Sequence, residues 1–187
     1  MVDQAVKLAD EVGLSQLTLA ALAKRLGVRQ PSLYKHVDGM DALQRSIALR
    51  AKHELADALA RVAVGRSRGE AITSMSLAYR SWARQHPGRY AAVQRAAPPG
   101  DVEAEAADRA LVQIVFDVLA GYELREDDAV DATRALRAAL HGFVTLEQAG
   151  GFGLPVDVDR SFDRLVRGLE SAFSEWTKDL PRSRSRT

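Results

Sequence analysis

Between Asp38 and Val62 the apolar residues Met40, Leu43, Ile47, Ala51, Leu55, Leu59 and Val62 recur at steps of three and four. That step suits the 3.6-residue turn of an α-helix; a strand, whose side chains alternate every two residues, cannot use it. The rest of the chain follows the same period. "DQAVKLADEVG" sets Ala5, Val6, Leu8, Ala9 and Val12 on one side, with Gly13 at the stop. Ile72, Met75, Tyr79 and Trp82 mark a helix ending at His86-Pro87, and Tyr90 and Val93 a short one before "APPG". Leu111, Ile114, Val115, Val118, Leu119 and Tyr122 mark another. Two strong helices follow, one carrying Leu136, Leu140, Phe143 and Val144, the other Val158, Phe162, Leu165, Leu169, Phe173 and Trp176. No alternating run is long enough for a strand. The expected fold is all-α with about nine helices.

The most informative local pattern is "LTLAALAKRLGVRQPSLYKHV". Thr18 is a good N-cap, and Leu19, Leu22, Ala23 and Leu26 form a stripe that Gly27 ends. After a tight glycine-containing turn comes a helix of about two turns, with Pro31 where a missing N–H costs nothing. This is the connection of a helix-turn-helix, whose second member lies in the major groove of DNA. The charge pattern agrees. No acid occurs between Glu11 and Asp38, while Lys24, Arg25, Arg29 and Lys35 all do, within a chain of formal net charge +1. Such a patch suits a polyanion, although four charges on a solvated helical face would look the same.

Leu33 and Val37, four residues apart, are expected to face inward, which leaves Gln30, Pro31, Ser32, Tyr34, Lys35 and His36 outward. Gln30 has the amide to bond a base edge, and Pro31 and the Tyr34 ring suit a thymine methyl or a sugar. Ser32, Lys35 and His36 are sized for phosphates, which fix position rather than sequence. Thr18 offers a hydroxyl at a helix N-terminus, and Arg29 can reach a base or the backbone from the turn. Each also has a plain alternative: Tyr34 can cover a helix junction, Gln30 can cap a helix, and His36 can be surface without a role.

Residues 5–49, above all "LTLAALAKRLGVRQPSLYKHVDGMDAL", resemble the DNA-binding domain of the tetracycline-repressor (TetR) family. The resemblance implies a homodimeric, ligand-responsive repressor of palindromic operator DNA. It matches Gln30, Pro31 and Tyr34 to base-contacting positions, and Thr18, Lys35 and His36 to phosphate contacts. Two positions depart from the pattern: Met40 stands where the family often has lysine, and Ala20 where it often has a basic residue. "RALRAALHGFVTLEQAGGFGLPVDVDRSFDRLVRGL" resembles a TetR C-terminal subtype known for a tryptophan and a His-Gly pair, here Trp82 and His141-Gly142. By the same resemblance, the last two helices form a four-helix dimer interface.

The expected domains are 1–48 for DNA binding (helix-turn-helix about 18–37), 49–178 for ligand binding and dimerisation, and 179–187 as a disordered basic tail. Within the second, Tyr79, Trp82, Tyr90, Phe116, Tyr122 and His141 are candidates for an apolar effector cavity, and a neutral or weakly polar effector suits them. The same residues at helical spacing also read as ordinary core. The stripe on 158–176 is wide for one small subunit, so Phe143, Phe162, Leu165, Leu169 and Phe173 are candidate dimer contacts; an ordinary core helix is the alternative.

Enzymatic chemistry finds little footing. "GGFG" at 150–153 follows no strand and precedes no Lys-Ser/Thr, so it reads as a helix stop. His36, His53, His86 and His141 are scattered without metal-ligand spacing, and cysteine is absent. No metal or cofactor is expected. With 47% hydrophobic and 27% charged residues and no apolar run of membrane length, the chain reads as soluble, cytoplasmic and free of membrane contact. A helical small-molecule binder without specific DNA recognition is the remaining rival.

Overall fold

The computed structural model describes residues 1–176; the expected tail at 179–187 lies outside them. Eight α-helices run Val2–Val12 (α1), Leu19–Leu26 (α2), Gly39–Ala63 (α3), Arg68–Gln85 (α4), Pro87–Val93 (α5), Val102–Leu119 (α6), Glu126–Gln148 (α7) and Val158–Glu175 (α8). A six-residue 3-10 helix over Gln30–Lys35 makes the ninth, and two three-residue 3-10 turns complete the inventory. No strand occurs among the described residues. The fold is all-α, as the periodicity requires.

The chain divides into two compact units. One comprises Met1–Ala58 and Ser81–Leu111; the other comprises Leu59–Arg80 and the residues from Val112 onward. The divisions fall inside α3, α4 and α6, and residue 48 lies within α3.

In the first unit, Ala5, Val6, Leu8 and Ala9 of α1 meet Leu19, Leu22 and Ala23 of α2 in one core with Leu33, Val37, Leu43 and Ile47. Ala92 of α5 joins the same core. The closeness of α1 to α5 explains Gly88, where a Cβ would lie 2.0 Å from the Ala9 carbonyl oxygen. A polar cluster fixes that contact. The Arg89 side chain donates to Asp10 (2.7 Å) and Glu54 (2.6 Å), and its backbone N–H donates to the other Asp10 oxygen at 2.9 Å. Arg89 also lies 2.7 Å from His86 Nδ1. A guanidinium has no acceptor, so Nδ1 must accept and is unprotonated in this arrangement. Burial and the Arg89 charge lower the His86 pKa below its ordinary value, against the opposing pull of Asp10 and Glu54.

In the second unit, Ala129, Ala132, Leu136, Leu140 and Val144 line the buried side of α7, and Phe162, Val166 and Phe173 that of α8. Arg80, 6% exposed, joins three helices. Its guanidinium donates to Glu147 at 2.5 and 2.9 Å and to Asp159 at 2.7 Å, and it lies 4.7 Å from the centre of the Phe162 ring. Paired and stacked in this way, the charge tolerates burial that alone would cost several kcal/mol.

Candidate nucleic-acid interface

The site is assembled from a cap, a turn and a short helix. Thr18 Oγ1 accepts from the Ala21 N–H at 3.1 Å and so opens α2; the hydroxyl proton stays available to donate outward. Gly27 closes α2 in the left-handed conformation (φ 68°), where glycine avoids the cost a Cβ would bring. Val28 N–H bonds back to Ala23, and Arg29 turns extended, as a residue before Gln30-Pro31 can.

The segment Gln30–Lys35 then winds as a 3-10 rather than an α-helix. Ser32 N–H bonds to Arg29 O at 2.9 Å and His36 N–H to Leu33 O at 2.9 Å, both across three residues. Pro31 supplies no N–H for a longer ladder, and six residues at three per turn give two turns. Leu33 (2% exposed) and Val37 (7%) are its anchors in the core. Gln30, Pro31, Ser32, Tyr34, Lys35 and His36 are all exposed, Tyr34 at 54% despite its ring. Thr18 and Arg29 are exposed as well. None of these eight is held by an ion pair or a side-chain–side-chain hydrogen bond among the described residues. They form a surface with donors, two cations (Arg29 and Lys35) and an aromatic ring turned to solvent. Met40 is half-buried at the start of α3 and packs on the core, and Ala20 is exposed and inert.

One of the four cations in the acid-free stretch does not belong to this surface. Arg25 makes two bonds to Glu11, at 2.5 and 2.9 Å, and a third to Gln4 at 3.0 Å. The guanidinium holds the Glu11 carboxyl below its ordinary pKa. Arg25 therefore staples α2 to α1, leaving Lys24, Arg29 and Lys35 as the cations of the stretch without an ion pair among the described residues. The acid that neutralises it lies fourteen residues earlier in sequence, outside the stretch, and only the fold brings it near.

The other candidate residues are distributed between the two units. Trp82 (8% exposed) and Tyr90 (4%) are buried in the first, Trp82 edge-on to His86 with ring centres 5.3 Å apart. Tyr79, Phe116, Tyr122 and His141 belong to the second; Tyr122 is buried, its hydroxyl pushed up to about 12 by that burial, and the others are half-buried. Two cavities, one beside Arg45 and Arg95 and one beside Ala60 and Ile114, are lined by none of the six. Of the candidate dimer contacts, Phe162 (0% exposed) and Phe173 (1%) are enclosed within the chain itself. Phe162 packs on Phe143 and Arg80, and Phe173 on Tyr122. Phe143, Leu165 and Leu169 remain half-buried.

Comparison with known proteins agrees with this geometry. Residues 1–47 match the profile of bacterial regulatory proteins of the tetR family, and residues 72–169 match a tetracyclin repressor-like C-terminal domain. The chain is 40% identical over 178 residues to an uncharacterized HTH-type transcriptional regulator of Mycobacterium tuberculosis, covering 95% of this chain and 81% of that one. It is 34% identical over 175 residues to another, YobS of Bacillus subtilis, covering 92% and 90%. Its fold is similar to that of a TetR variant from Acinetobacter baumannii crystallised with minocycline (TM-score 0.70, 23% identity, 94% of each chain).

Proposed function

This chain belongs to the TetR family of bacterial transcriptional regulators, and on that premise we propose that it represses transcription as a homodimer bound to palindromic DNA. One observation carries the reading: a two-turn helix, pinned by Leu33 and Val37, turns six chemically suited and unengaged side chains outward. Gln30, Pro31 and Tyr34 read base edges. Thr18, Ser32, Lys35 and His36 hold phosphates, and Arg29 reaches into the same groove from the turn. The DNA-binding part is 1–48 and the effector and dimer part 49–178. No catalysis is part of this function, and its place is the cytoplasm, on the nucleoid.

The effector is a neutral or weakly polar small molecule held in the second unit by Tyr79, Phe116, Tyr122 and His141. Ser76 Oγ, Tyr122 Oη and Thr133 Oγ1 support this, being buried hydroxyls of that unit without a hydrogen-bond partner among the described residues. Trp82 and Tyr90, buried in the first unit, act only as framework. The same reading assigns the C-terminal part to the tryptophan and His-Gly subtype, and the presence of Trp82 and His141-Gly142 supports it.

Dimerisation uses α7 and α8 through Phe143, Leu165 and Leu169, with Phe162 and Phe173 supporting from beneath. A Cβ at Gly142 would meet nothing within 4 Å, which suits a helix face kept low for a second copy. Selection of duplexes from a randomised pool tests the reading. Enrichment of an inverted repeat is expected; recovery of unenriched sequence would contradict it.

A further inference from the structure

Within the first unit, a cavity of about 510 Å³ lies between the first half of α3 and the connection from α5 to α6. That volume is in the range that takes a small organic ligand. Its walls are mostly apolar because they are built of short side chains: Ala42, Ala48, Leu49, Ala96, Ala97 and Ala104. Leu49, Ala104, Ala107 and Ala97 form a small core of their own beneath it, too slight to fill the space.

Three cations stand on the same walls, and their states differ. Lys52 is 2% exposed and meets Asp108 at 2.5 Å. Arg45 donates to Asp101 and, at 2.9 Å, to Glu103, and holds the Asp101 carboxyl down to about 2. Arg95 is exposed and, among the described residues, bonds the neutral amide oxygen of Gln44 and meets no carboxylate. Asp41, the one acid on the cavity wall, has no ion pair to it.

We propose that this cavity binds a small apolar carboxylate, with its body against the alanines and its carboxylate on the Arg95 guanidinium. A planar guanidinium with free donors is matched to a carboxylate in two-point geometry, and beside an apolar wall the pair is less screened than in open water. Arg45 and Lys52 already have their acids and serve as wall, their methylenes adding apolar surface. The site is separate from the DNA-reading surface and does not depend on the function proposed above.

Calorimetric titration of the full chain with naphthalene-2-carboxylate and naphthalene-2-carboxamide tests it, since the two share a body and differ in charge. The carboxylate is expected to bind at least tenfold more tightly. Arg95→Gln should remove that preference while leaving the carboxamide unchanged, and Ala48→Leu or the rim variant Ala96→Leu should weaken both at least tenfold. Circular dichroism of each variant verifies folding, and Ala96, being exposed, can be enlarged without disturbing the core. Failure of the carboxylate to bind below millimolar concentration would overturn the site. So would a preference that survives Arg95→Gln, or binding indifferent to both leucines.

Discussion

Lys35 and Arg25 show what a charge contributes depends on its partner. Both are exposed and lie in the acid-free stretch, yet Arg25 is bound to Glu11 and Gln4 while Lys35 has no ion pair among the described residues. Lys35→Ala should therefore lower the slope of log affinity against log salt by about one per subunit, and Arg25→Ala should leave it nearly unchanged. Anisotropy titrations of a bound duplex across a salt series measure both. His86 supplies a second prediction at this scale. Its pKa is lowered in the folded chain, so between that value and 6.5 the unfolded chain binds more protons. The stability from His86 is complete above pH 6.5 and is lost as pH falls through the folded value. Urea midpoints from about pH 5 to about pH 8 should show this acid-side loss, and His86→Gln, which keeps an acceptor for Arg89 and cannot titrate, should flatten it.

Among the elements, those with strong period and clear caps were legible from sequence. The stripe Leu43, Ile47, Ala51, Leu55 and Leu59 is buried throughout α3, and Gly27 and Thr18 bound α2 as their chemistry requires. The inward turn of Leu33 and Val37, and hence the outward face of the Gln30–Lys35 helix, also followed from spacing alone. Its 3-10 winding did not, because the difference rests on hydrogen bonds over three residues rather than four. Nor did the buried ion pairs, whose partners are far apart in sequence: Arg80 meets Glu147 and Asp159 only once α4, α7 and α8 are packed. Phe162 and Phe173 lie on a stripe that marks burial without saying whether the cover is this chain or another. Arg80→Ala removes two charge-assisted bonds from the Glu147 carboxylate, 17% exposed, together with the stack on Phe162. Chemical denaturation should show a loss of about 3 kcal/mol.

For the molecule as a whole, reading a palindrome requires two copies, each bringing one Gln30–Lys35 helix to a half-site. Sedimentation at micromolar concentration should give a dimer of the 187-residue chain. Leu165→Glu, at a half-buried position of α8, should shift it to monomer and weaken DNA binding without unfolding the chain. A wild-type monomer would contradict the paired arrangement. Whether Gln30 and Tyr34 give this chain its DNA sequence preference is measured by titrating selected and scrambled duplexes with wild type and with the Gln30→Ala, Tyr34→Ala double variant. The double variant is expected to lose about 2–6 kcal/mol of preference per half-site while keeping the salt-dependent affinity for scrambled DNA. A preference for the selected duplex left intact by both substitutions would contradict that role.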